Sequence, residues 1–145
     1  MKDGFIKVAA GTPDIKVADC EYNRAEITAL IDKAYAAGVR ILALPELCIT
    51  GYTCQDLFFQ QALLDGALNA LREITEHTAG SDMLISVGCP LRFRGELYNC
   101  AVVLKDGKIL GVVPKKFLPN YNEFYEKRHF TAAPEGQFDI ELFGE

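Results

Sequence analysis

The turn Lys105-Asp106-Gly107-Lys108 limits the fold more than any other feature of the chain. Asp-Gly suits a two-residue hairpin turn, whose central residues need positive φ. The runs on either side, 97–104 and 108–113, are apolar and rich in valine, so this region reads as antiparallel. The region before it follows a different pattern. Residues 5–10 read as a strand bounded by Gly11-Thr12-Pro13. Asp19 then suits the N-cap of a helix running to 37, with Ile27, Leu30, Ile31 and Ala34 at helical spacing and Gly38 as its stop. Residues 39–44 form a second apolar run. A second helix is predicted from Asp56, with Leu57, Phe58, Leu63, Leu64, Ala67, Leu68, Leu71 and Ile74 on one side and His77 near its end. A third strand is predicted over 83–89. Strand–helix–strand units followed by a hairpin imply an α/β fold: a mixed sheet with helices on at least one face. Residues 138–142 alternate like one more strand.

The 145 residues suit one domain, and a hydrophobic share of 50% is enough for a sizeable core. There are no internal repeats, low-complexity segments or linkers. A net charge of -5 and a pI of about 5.1 argue against a nucleic-acid partner. No apolar run approaches the ~20 residues that span a bilayer. Met1-Lys2-Asp3-Gly4 leads into the first strand without a leader pattern.

The five cysteines (Cys20, Cys48, Cys54, Cys89 and Cys100) are odd in number and scattered. They predict reduced thiols in a cytoplasmic protein. Cys20, at a helix start, is placed where a thiolate is favoured; Cys48, beside Leu47 and Ile49, reads as a small buried apolar residue, and Cys89 and Cys100 lie in strand runs. With no CxxC pair and only His77 and His129, no metal site is expected. His77 reads as a surface residue suited to the C-terminal end of a helix dipole.

The residues that suggest chemistry sit where strand-like runs end. Leu44-Pro45-Glu46 puts an acid directly after the second strand, and Val113-Pro114-Lys115 puts a cation directly after the last. Strand ends are where open α/β sheets bind ligands. Alone, Glu46 fits a solvating strand-end acid as well as it fits a base. Walled by Leu47, Ile49 and Tyr52, its carboxyl pKa is expected to rise by desolvation. If both strands end at one edge, Glu46 can take a proton and Lys115 can stabilise an oxyanion. The missing part is a nucleophile: Cys48 and Cys54 lie near Glu46 in sequence, but free cysteines are usually buried and inert. The segment 114–130 mixes aromatics and charges and reads as a functional loop.

Three groups of residues carry a resemblance. They are Pro45-Glu46-Leu47 with Gly51-Tyr52; Leu97-Tyr98-Asn99-Cys100-Ala101-Val102-Val103 with Gly107-Lys108-Ile109-Leu110-Gly111; and Lys115-Lys116-Phe117-Leu118-Pro119. In this order they resemble the nitrilase (carbon–nitrogen hydrolase) superfamily. Ala9-Ala10-Gly11-Thr12-Pro13, Glu46 to Thr53 with Asp56-Leu57-Phe58, and Lys115 to Glu126 are most similar to the glutaminase domains of bacterial glutamine-dependent NAD synthetases. The resemblance implies an αββα sandwich with mixed sheets, incomplete in this chain. It also implies a Glu-Lys-Cys triad with Glu46 as base and Lys115, not Lys116, as catalytic lysine. By the same resemblance Tyr52 and Tyr121 bind glutamine, and Glu126 steadies the lysine and the pocket.

The family's nucleophilic cysteine, which comes well after the lysine motif, has no counterpart here. The resemblance therefore implies the first half of a glutaminase domain over 1–145, inactive alone. ATP and Mg would belong to an absent synthetase domain of the same polypeptide, in a homo-oligomer. Two other readings stay open: the front part of a stand-alone amidase or carbamoylase, and a non-catalytic module that pairs through exposed sheet edges.

Overall fold

A computed structural model describes residues 4–144. The expected lead-in over residues 1–3 lies outside the described residues. The elements run β1 (Val8–Ala10), α1 (Cys20–Ala36), β2 (Ile41–Ala43), a 3-10 turn (Gln55–Phe59), α2 (Gln61–His77), β3 (Leu84–Phe93), β4 (Glu96–Lys105), β5 (Lys108–Pro114) and α3 (Glu126–His129). The strands form one sheet in sequence order. β1, β2 and β3 are parallel; β3, β4 and β5 are antiparallel. The expected mixed α/β architecture is present.

Local chemistry explains the element ends. The Asp19 side chain accepts from the Tyr22 N–H at 3.0 Å and caps α1. Gly38, at φ 77°, closes the helix by donating to the Tyr35 carbonyl. Asp106 and Gly107, both at positive φ, make the predicted hairpin turn. Arg94 and Gly95 make a second one that was not predicted, so β3 runs on to Phe93 instead of stopping at Cys89. Pro90 does not end it: beyond Ser86, β3 has, among the described residues, only β4 as a strand neighbour, and a proline is tolerated on such an edge.

α1 and α2 pack on one face of the sheet. Ile27, Ile31, Ala67, Leu71 and Ile74 meet Leu42, Ile85, Val87, Val102 and Leu104 in one buried cluster. Val8, Ile41, Ala101 and Val113 are exposed along the opposite face, which no further layer covers among the described residues. A helix layer on one mixed sheet is half of an αββα arrangement. No described helix is long and apolar enough to cross a membrane.

Three expectations are corrected. First, the second helix does not begin at Asp56. The 3-10 turn comes first, and Gln60, in an extended conformation, separates it from α2. Phe58 is drawn out of the helical pattern by packing edge-on against Phe130, ring centroids 4.9 Å apart. Second, residues 138–142 are not a strand. Their alternation reflects packing: Phe138 lies against Phe93, and the Arg94 guanidinium sits over both rings. Third, the first two strands are shorter than predicted, because their parallel ladder is only three residues long.

Candidate active site

The turn after β2 is held by backbone and core. Leu44 N–H donates to Ser86, and Ile49 N–H to Gly88. Leu47, Cys48 and Ile49 are buried in the core. Gly88 lies directly beneath the turn: a Cβ there would sit 2.3 Å from the Leu47 nitrogen and 2.4 Å from the Pro45 oxygen. The turn can lie flat on β3 only because position 88 has no side chain. Leu47 and Ile49 therefore do not wall Glu46 as expected, and its side chain is 39% exposed.

At the other strand end, Lys115 N–H donates to the Asn99 carbonyl at 2.8 Å, which prolongs the β4–β5 ladder by one bond. The Lys115 ammonium reaches Glu46 Oε1 at 2.6 Å and Glu126 Oε1 at 2.8 Å. Burial works against the charged lysine, but its bonds to Glu126 and Glu46 outweigh that and raise its pKa. It is an ammonium at neutral pH. Lys116 points elsewhere, to Glu135 on the surface.

Glu126 opens α3 and is only 4% exposed. Its Oε1 also accepts from the Tyr52 hydroxyl at 2.8 Å, while its Oε2 is buried without a partner among the described residues. Burial and the bond to Glu126 push the Tyr52 pKa up, so the phenol stays a donor. α3 is fixed from outside by Arg128, which grips Asp56 in the 3-10 turn through two bonds of 2.7 and 2.8 Å.

The structure thus brings Glu46, Lys115, Glu126 and Tyr52 into one hydrogen-bonded cluster. Tyr121 stays outside it, 63% exposed, with its ring edge on Phe124. The fifth member is Asn99, which sequence reasoning quoted but gave no role. Its side-chain amide donates to Glu46 Oε1. The available signal was an amide in the middle of an otherwise apolar strand run. Gly88 was missed in the same way. A glycine inside a strand pattern signals close backbone approach.

None of the cysteines serves this cluster. All five are buried and free. Burial pushes the Cys20 and Cys48 thiols up to about 11 and Cys100 to about 12. The thiolate expected to be favoured at Cys20 is therefore disfavoured, because desolvation outweighs the helix start. His77 ends α2 at the surface and contacts Asp32 of α1 at 2.7 Å. Among the described residues no group of three or more metal-binding side chains assembles. A cavity of about 460 Å³ between β3–β5 and residues 134–140 includes none of the cluster residues. A much smaller one is lined by Tyr52, Phe58, Glu126 and Phe130.

The carbon–nitrogen hydrolase family profile matches residues 7–145. The glutamine-dependent NAD(+) synthetase of Mycobacterium tuberculosis is 39% identical over 141 residues, which is 97% of this chain and 21% of the relative. The crystal structure of a glutamine-dependent NAD(+) synthetase from Cytophaga hutchinsonii superposes with a TM-score of 0.87 at 36% identity, covering 95% of this chain and 23% of that one. An amidase from Nesterenkonia sp. shares the fold, with a TM-score of 0.76 at 19% identity over 93% of this chain and 51% of its own. The chain spans about a fifth of the length of the curated relatives it matches. On its sequence and its fold, the chain belongs to the carbon–nitrogen hydrolase family.

Proposed function

We propose that this chain is the front part of a glutaminase that releases ammonia from the glutamine side chain for ATP-dependent NAD synthesis. The observation that carries the reading is the Lys115 ammonium held between Glu46 and Glu126 at the ends of β2 and β5. In this reading Glu46 removes the proton of a thiol. The thiolate attacks the amide carbon, forming a C–S bond and an oxyanion that Lys115 stabilises. The carbonyl re-forms, the C–N bond breaks, and the protonated Glu46 gives its proton to the departing ammonia. Water, deprotonated by Glu46, then attacks the thioester carbonyl; the C–S bond breaks, glutamate is released, and the protonated Glu46 returns its proton to the sulfur. Glu126 fixes the lysine, and Tyr52 and Tyr121 border the glutamine. The burial of all five thiols supports placing the nucleophile outside these residues. ATP and Mg would belong to a synthetase domain of the same polypeptide, and no step above involves them.

The test uses the full-length gene product. Glu46→Gln and Lys115→Met should each lower glutamine-dependent turnover by about 10³-fold or more, in line with loss of a catalytic acid–base or oxyanion group. Synthesis from free ammonia should be unchanged. Normal glutamine turnover in either variant sinks the assignment. A parent enzyme that hydrolyses short aliphatic amides but not glutamine sinks the substrate.

A further inference from the structure

The Glu46 carboxylate does not reach Lys115 by its own turn alone. It is exposed on one side, and a flexible glutamate there has several rotamers open to it. Two donors converge on the same oxygen, Oε1: the Lys115 ammonium and the Asn99 side-chain amide. Oε2 accepts no hydrogen bond among the described residues. Asn99 is 3% exposed and sits in the middle of β4, opposite Pro90. Its backbone carbonyl holds the Lys115 N–H. One residue therefore grips the base through its side chain and the lysine through its main chain, although Glu46 and Lys115 lie 69 positions apart in sequence.

We infer that Asn99 is the positioning residue of this site: its amide pins Glu46 Oε1 beside Lys115 and leaves Oε2 as the atom that accepts the proton. The inference rests on the reading of Glu46 as the base. An apolar residue of similar size at 99 keeps the ladder bond to Lys115, because that bond is made by the backbone. It loses only the hold on the carboxylate. The loss should fall on the chemical step and not on glutamine binding, because Asn99 acts on the base and not on the ligand.

The experiment compares Asn99→Leu and Asn99→Asp in the full-length protein. Asn99→Leu should lower kcat for glutamine by about 10²-fold, the scale of a misplaced catalytic group, with KM within about twofold. Asn99→Asp, nearly isosteric but set against the Glu46 carboxylate, should lose at least as much. Synthesis from free ammonia should be unchanged in both, which also reports that the variants fold. Crystal structures of the variants should show the Lys115 N–H still bonded to the residue 99 carbonyl and the Glu46 carboxylate moved away from the ammonium. A kcat within threefold of the parent, or a loss confined to KM, overturns the inference. So does a Glu46 carboxylate that stays on Lys115 in both variants. If the parent itself releases no ammonia from glutamine, the functional reading fails, and the position of Glu46 in the variant crystals still decides the role of Asn99.

Discussion

The two glutamates of the site are held in place by opposite means. Glu46 rides on a turn whose backbone is bonded to β3 and whose neighbours Leu47 and Ile49 are buried in the core. Its own carboxylate is half in solvent. Glu126 is almost fully buried, but the short helix α3 that carries it is tied down by exposed charges, Arg128 on Asp56, and by the edge of Phe130 on Phe58. Rigidity at Glu46 comes from close packing, which changes only when atoms collide or vanish. Rigidity at Glu126 comes in part from exposed ion pairs, which salt and acid weaken. The turn that carries Glu46, the proposed base, is thus the better anchored element, and α3, which carries Glu126, is the more easily moved.

The largest effect should come from filling the space beneath Glu46. Gly88→Ala puts a methyl group 2.3 Å from the Leu47 nitrogen. The atoms it meets are backbone and cannot swing aside, so the expected cost is about 1–3 kcal/mol of overpacking. Glutamine turnover should fall more than stability alone explains, because the turn that carries Glu46 must rise. Gly111→Ala is the control: no atom lies within 4 Å of its added carbon. Chemical denaturation and steady-state assays on the full-length protein check both. Equal, small effects at the two glycines would mean that the turn is looser than its packing indicates.

A smaller effect is expected from Glu126→Gln. The shape is kept, but Lys115 loses one of its two carboxylates, and Tyr52 is left bonded to a neutral amide. Glutamine turnover should fall about 10-fold to 10²-fold, roughly the 1.5–3 kcal/mol of a hydrogen bond to a charged group. Glu126→Ala should cost more, since it leaves the Tyr52 hydroxyl without its acceptor. If Glu126→Gln retained full turnover, the ion pair to Glu126 would be dispensable and Glu46 alone would set the lysine.

Local rules carried much of this structure. The Asp106-Gly107 hairpin, the Asp19 cap and the Gly38 stop depend on neighbours within a few residues, and all three appear in the structure as read. Glu46 and Lys115 were legible because each follows a strand and a proline, and the sheet does bring those two ends together. What was not legible depended on distant partners. Asn99 looked like part of a strand motif, and only the fold puts it on a carboxylate 53 positions away. Gly88 looked like any strand glycine until a turn from 43 residues earlier lay across it. The division between the 3-10 turn and α2 was hidden because Phe58 and Leu57 fit a helical stripe, and what breaks the stripe is a contact with Phe130. Four residues of α3 are too few to show a period. Arg94-Gly95 lacked the Asn or Asp that marks such turns.

The smallest effect concerns the tether of α3. Arg128 and His129 hold the Asp56 carboxyl below its ordinary value, at about 2 instead of 3.8. Its folded-state pKa is depressed, so its contribution is complete above the unfolded value near 4 and is lost as pH falls from about 4 towards 2. Asp56 and Arg128 are both exposed, so global stability should barely change. The local effect is different. Asp56→Asn should speed amide hydrogen exchange over 126–130 and leave 46–50 as protected as in the parent. High salt should do the same, and acid should reproduce it within that pH window. Exchange that rises equally in both segments would show that the two glutamates open as one unit, and the contrast between a packed turn and a tethered helix would not hold.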